Sequence, residues 1–192
     1  MSLLLETIKI EDGIIHNLSY HQARCDKSRK ELFRSPDKLD LSSVIRAPVT
    51  GLYRCRILYN EIIHSIEYIP YMPKEIHTLK IIPSNIKYDH KYADRKELNN
   101  LLQIQKGIDE IIIEKEGYLT DTTIANIAFY DGKQWFTPMK PLLEGTMRAK
   151  LLEEGFLRTK KIKKQDLKNY THVALMNAML GFKPIKDIQI LM

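Results

Sequence analysis

Two hydrophobic rhythms alternate irregularly along this chain, one with the period of a strand and one with the period of a helix. Residues 3–10 are apolar and β-branched, Glu11-Asp12-Gly13 carries a hairpin turn, and Ile14-Ile15 opens a short return strand. Ser19 is placed to cap a helix running to about Phe33, with Tyr20, Ala23, Leu32 and Phe33 on its apolar face. Ser35-Pro36-Asp37 stops it, and a second short helix is expected near residues 41–45. Residues 51–59 and 62–68 suit a hairpin that turns at Asn60-Glu61. Pro70 and Pro73 then break the pattern, which predicts a small N-terminal domain over residues 1–76 and a larger one over residues 77–192.

The second stretch continues in the same mixed fashion. Residues 79–82 read as a strand and residues 84–95 as a polar loop, after which Leu98, Leu101, Leu102 and Gln105 keep helical spacing up to Gly107. Residues 110–115 form a strand before the Glu116-Gly117 turn. Residues 124–130 follow, with Asp131-Gly132 turning them into residues 134–137. Gly145 precedes a helix over residues 146–154 that ends at Gly155, and the remainder reads as strand, short helix, strand. Helices and strands mix without a regular βαβ repeat, so the fold class expected is α+β.

Composition narrows the function classes. Of 192 residues, 44% are hydrophobic and only 8 are glycine, which gives a real core and excludes collagen-like or disordered chains. No apolar run reaches the length of a membrane span, and Met1-Ser2-Leu3-Leu4-Leu5-Glu6 lacks the basic start of a signal peptide. Cys25 and Cys55 have neither zinc spacing nor a disulfide framework, so no metal is expected and a reduced, cytoplasmic protein is. The formal charge of +6 is spread along the chain. Its densest cluster, Lys160-Lys161-Ile162-Lys163-Lys164, reads as a solvated strand edge or turn. With one tryptophan and no arginine–aromatic cluster, a nucleic-acid partner is not expected.

Four groups of residues have chemical potential, and each also has a plain structural reading. Gly145-Thr146-Met147-Arg148 opens a helix whose backbone N–H groups make an anion cup, or Gly145 merely caps a turn. Thr120-Asp121-Thr122-Thr123 precedes Asn126 and is either a buried structural network or a site. Lys91, among Tyr88, His90 and Tyr92, is a nucleophile or an ordinary solvated lysine. Arg24 in His21-Gln22-Ala23-Arg24 binds an anion or lies on the surface. An amine, an acid, an anion cup and an arginine are together what pyridoxal phosphate requires.

These segments, in this order, resemble the class IV (fold type IV) aminotransferase-type pyridoxal phosphate proteins, and among them the aminodeoxychorismate lyases. The matching pieces are Leu5-Glu6-Thr7-Ile8, His21-Gln22-Ala23-Arg24, His90-Lys91-Tyr92-Ala93-Asp94-Arg95, Gly117-Tyr118-Leu119-Thr120-Asp121 with Ala125-Asn126-Ile127, Leu143-Glu144-Gly145-Thr146-Met147-Arg148 and Leu175-Met176-Asn177-Ala178-Met179. The resemblance implies a two-domain, D-amino acid aminotransferase-like α+β fold with the cofactor between the domains, in a homodimer. It implies that Lys91 holds pyridoxal 5'-phosphate covalently and later moves the proton, and that Asp121 faces the pyridine nitrogen. Arg24 and the amides of Thr146 and Met147 would take the phosphate, with Asn177 near that end, Asn126 supporting the acid, and Thr7 as a proton donor. The substrate implied is a small anionic amine, cleaved to 4-aminobenzoate and pyruvate; transamination of a D- or branched-chain amino acid and a degenerate, non-catalytic protein are the alternatives. Two departures stand out: the family has glutamate at the place of Asp121, and the strand and glycine turn that precede Leu5 in the family are not found here, so a shortened N-terminus is expected.

Overall fold

The computed structural model describes residues 2–35 and 37–192. Pro36, in the expected helix stop, and Met1 lie outside the described residues. The chain divides into two compact units, one made of residues 1–73 and 90–94, the other of residues 74–89 and 95–192. The first unit's leading stretch ends at Pro73 and the second unit begins at Lys74. Residues 90–94, expected in the larger domain, belong with the first unit because their backbone bonds to its sheet: Leu5 N–H donates to Lys91 O at 2.8 Å, and Ala93 N–H donates to Leu3 O at 2.9 Å.

The first unit is built on strands β1 (Leu4–Glu11), β2 (Ile14–Ile15), β3 (Leu52–Tyr59) and β4 (Ile63–Pro70), in the order β2-β1-β3-β4 and antiparallel throughout. Helices α1 (Leu18–Phe33) and α2 (Leu41–Val44) connect β2 to β3. Alternation along β1 sends Leu4, Ile8 and Ile10 to one face, where they pack with Cys25, Leu41, Cys55, Ile57 and Tyr59. Helix α1 starts two residues earlier than a cap at Ser19 suggests. Asn17 occupies the N-cap in the left-handed region at φ 53, a conformation asparagine tolerates, and no side chain caps the helix there. Asp40 caps α2 by accepting from Ser42 N–H at 2.9 Å.

The second unit contains β5 (Thr78–Pro83), α3 (Lys96–Gln103), β6 (Glu110–Lys115), β7 (Tyr118–Thr122), β8 (Asn126–Tyr130), β9 (Trp135–Pro138), α4 (Thr146–Glu153), β10 (Leu157–Lys160), a 3-10 turn (Lys164–Asn169), β11 (His172–Asn177), β12 (Gly181–Ile185) and β13 (Gln189–Leu191). Its strands form one sheet in the order β10-β9-β8-β7-β6-β5-β13, with β11 pairing β8 and β12. The tight β6–β7 hairpin turns at Glu116 and Gly117, both at positive φ. One face of the sheet carries Leu79, Ile81, Ile112, Ile127, Phe129, Val173 and Leu175. The other packs Ala128, Ala174 and Met176 against Leu151 of α4. Strand β8 begins at Asn126, two residues after the expected start, because Thr122 accepts from Ala125 N–H at 3.0 Å and closes a turn there. The lysine cluster lies at the edge strand β10 and just beyond it, with Lys160 set over the Phe136 and Tyr170 rings.

Candidate functional site

In the first unit the site residues are placed by strand register. Leu4 bridges Tyr92 in antiparallel fashion, so Lys91 sits beside Leu5 at the edge of β1. Tyr92 packs with the core on the Leu4 side. Tyr92 N–H donates back to His90 O at 2.9 Å, a tight turn centred on Lys91 that interrupts strand alternation there. Thr7 is half-buried and follows Leu5, whose N–H bonds Lys91 O, by two positions along β1.

The core face of the same strand holds a buried ionic group. Glu6 is fully buried and accepts from Arg24 through both of its oxygens, at 2.8 Å from Nε and 2.6 Å from Nη2. His21, also buried, bonds the same carboxylate through Nδ1 at 2.5 Å. Burial alone would raise the Glu6 pKa, but the Arg24 charge and the His21 hydrogen bond override it and hold the carboxyl down at about 2. Burial, with the Arg24 and Lys91 charges nearby, pushes the His21 pKa below its ordinary value against the opposing pull of Glu6. Arg24 is thus aimed by Glu6, a residue the sequence reading quoted but gave no role. The signal was available: an acid at the phase of Leu4, Ile8 and Ile10 has to be buried, and a buried acid needs a cation.

In the second unit a backbone irregularity makes the site. Ile112 pairs Thr122 and Glu114 pairs Leu119, a register shift that leaves Thr120 and Asp121 together opposite Ile113. This β-bulge breaks the alternation, so Leu119 packs in the core of one face while Asp121 pairs Asn126 on the other. The neighbouring hydroxyls are structural. Thr120 donates to Ile113 O at 2.8 Å, Thr122 to Ala125 O at 3.1 Å, and Thr123 to buried Glu110 at 2.8 Å.

Asp121 itself accepts from Asn126 Nδ2 at 2.7 Å and from Leu143 N–H at 2.8 Å. Those bonds and the Arg148 charge favour the carboxylate, yet burial dominates and the pKa is raised to about 6. Asn126 also donates to Leu143 O at 2.8 Å. Gly145, extended at φ −73 and ψ 145, precedes α4 so closely to Asn126 that a Cβ there would lie 2.0 Å from Asn126 Oδ1. Thr146 and Met147 are the first two residues of α4, and Gly145 has no side chain to cap their amides. Buried Arg148 donates to Pro138 O at 3.0 Å. Asn177 ends β11; its Oδ1 accepts from Met179 and Leu180 N–H and its Nδ2 donates to Ile124 O. The second unit thus gathers Asp121, Asn126, Gly145, Thr146, Met147 and Arg148, while the Asn177 side chain closes the turn after β11.

Residues 62–188 match the family model of amino-transferase class IV. An uncharacterized protein of Haemophilus influenzae is 40% identical over 184 residues, covering 93% of this chain and 98% of its own. A protein of Schizosaccharomyces pombe with the provisional name aminodeoxychorismate lyase is 30% identical, over 92% of this chain and 86% of its own. Among solved structures, a protein of Haemophilus somnus provisionally named 4-amino-4-deoxychorismate lyase superposes with a TM-score of 0.86 at 41% identity, covering 94% of this chain and 98% of that one. No helix of the described residues is long and apolar enough to cross a membrane.

Proposed function

This chain belongs to the class IV aminotransferase family, and from that premise we propose that it is a pyridoxal-phosphate-dependent 4-amino-4-deoxychorismate lyase, releasing 4-aminobenzoate and pyruvate. The provisional names of the yeast and Haemophilus somnus relatives support the reaction. The observation that carries the reading is the bulge at Asp121. It keeps a carboxylate inside the protein, tied through Asn126 to the loop that leads into a glycine-started helix. A buried acid and a glycine-led helix start suit a cationic ring nitrogen and a phosphate. The residues present therefore fit the cofactor: Lys91 to hold it, Asp121 against the ring nitrogen, Arg24 with the Thr146 and Met147 amides for the phosphate, and Asn177 near that end.

Bound in this way, the cofactor supplies an electron sink for the carbon that carries the substrate nitrogen. The Lys91 amine would take the proton from that carbon at its Nζ. Thr7, two residues along β1 from the Leu5 that bonds Lys91, would deliver a proton through its hydroxyl as the enolpyruvyl group leaves. A cationic ring nitrogen beside Asp121 would favour its carboxylate and offset the upward pull of burial. Asn126 fixes the carboxylate so that aspartate does the work glutamate does in the family. Glu6 holds the Arg24 guanidinium side-on, through Nε and Nη2. A homodimer is part of the same proposal.

The test is borohydride reduction of the protein loaded with pyridoxal phosphate, peptide mapping of the label, and assay of pyruvate from aminodeoxychorismate. Label on Lys91 with pyruvate release is expected. Label on Lys91 with keto acid formed from an amino acid, and no pyruvate, overturns the lyase in favour of an aminotransferase. Scattered or absent label overturns the cofactor role.

A further inference from the structure

The face of the first sheet that carries Thr7 also carries three cations. Register sets Thr7 directly opposite Arg56, and Lys9 opposite Arg54. Two of the three have acids: Lys9 pairs Glu11 at 2.7 Å and Arg56 pairs Glu67 at 2.9 Å. Arg54 has neither an ion pair nor a hydrogen bond among the described residues, and its Nε is buried without an acceptor. Its neighbour on β4 is Ile69 and its neighbour on β1 is a second cation. Like charges directly opposite in a sheet destabilise it, and a buried guanidinium N–H without an acceptor adds to that. Among the described residues no acceptor or acid compensates Arg54.

We propose that Arg54 binds a carboxylate of the substrate that is remote from the reacting amine. The proposal rests on the reading of Lys91 as the residue that receives that amine. From Leu5, beside Lys91, to Lys9, beside Arg54, is four residues of strand, about 13 Å. Lys91 and Arg54 flank β1 on opposite sides, about 10 Å apart across the strands, so their Cα atoms are about 16 Å from one another. Two long side chains reaching over that span leave room for a ring with its amine and carboxylate at opposite ends. An α-amino acid, whose amine and carboxylate share one carbon, cannot reach both. Arg54 thereby selects an anionic cyclic amine, and its fork geometry suits two parallel N–H···O bonds to the carboxylate.

The experiment is calorimetric binding of 4-aminobenzoate, an aromatic amine with its carboxylate across the ring, to the cofactor-loaded protein and to Arg54→Leu and Arg54→Lys. Loss of one charge-assisted contact predicts binding weaker by about 10- to 100-fold in Arg54→Leu and a smaller loss in Arg54→Lys. Thermal stability should hold or rise in Arg54→Leu, since a cation without a partner is removed. Unchanged affinity overturns the proposal, as does a fall in stability that accounts for the lost binding. Should Arg54→Leu fail to fold, wild-type affinity in Arg54→Lys overturns it equally. The two readings fail separately. Arg54-dependent binding without pyruvate release keeps the carboxylate site and removes the lyase, whereas pyruvate release with an unchanged KM in Arg54→Leu removes the site and keeps the lyase.

Discussion

Gly145→Ala sets two rules of protein stability against each other. At φ −73 and ψ 145 alanine is comfortable, so the loss of unfolded-state freedom alone predicts stabilisation by about 0.4–1 kcal/mol. The new methyl, however, would stand 2.0 Å from Asn126 Oδ1 and 3.1 Å from its Cγ. That side chain is not free to swing, because Nδ2 bonds Asp121 at 2.7 Å and Leu143 O at 2.8 Å. Displacing it forfeits a hydrogen bond to a buried carboxylate, about 1.5–3 kcal/mol, and an ordinary one, about 0.5–1.5 kcal/mol. After the backbone gain, net destabilisation should be about 2–3 kcal/mol. Trp135, the single tryptophan, lies on β9 of the same unit, so its fluorescence reports urea unfolding where the change is made. The decisive comparison is Gly145→Ala placed in an Asn126→Ala background, where the clash has been removed and the substitution should become neutral or slightly stabilising. A Gly145→Ala protein as stable as the parent, or the same loss in both backgrounds, would refute the contact.

Two pH predictions follow from the buried acids, and they have opposite signs. Glu6, held at about 2 against an ordinary value of 4.5, stabilises the fold above pH 4.5, and that contribution disappears as pH falls towards 2. Glu6→Gln should therefore cost on the order of 3 kcal/mol at pH 7 and flatten the acid limb of a stability–pH curve; an unchanged acid limb would remove Glu6 from its role. Asp121, raised from 3.8 to about 6, binds its proton more tightly when folded, so without cofactor stability should decline as pH rises through that window. Asp121→Asn should abolish the decline in unfolding midpoints followed at Trp135, and a decline that persists would assign it to another group.

Much of the fold was legible because it depends on local rules. Glu11-Asp12-Gly13, Glu116-Gly117 and the glycine before α4 announced their turns and helix start, and strand phase placed Ile8 and Ile10 in the core. What escaped depended on partners distant in sequence or on a single inserted residue. Ser19 looked like the better cap, but the hairpin that precedes α1 delivers Asn17 to the left-handed conformation first. Nothing in the alternation of Tyr118 to Thr122 announces a bulge, because every residue there can be buried and the extra one is defined only against β6. Glu6 was readable in phase, yet its partners lie 15 and 18 residues away on α1. Residues 90–94 look like loop because their hydrogen bonds go to Leu3 and Leu5, almost ninety residues upstream.

That long-range docking governs how the protein can be made. The polypeptide leaves the first unit after Pro73, returns for residues 90–94 and leaves again, so neither unit is one continuous stretch of chain. On a ribosome the first sheet must wait, with the backbone of Leu3 and Leu5 unclaimed, until the lysine-bearing strip has emerged. A fragment ending at Pro73 would keep that strand border open, an invitation to pair with another copy. The lysine thus arrives as the closing piece of the sheet that presents it, and cutting the gene between the units would separate the residue from its own scaffold.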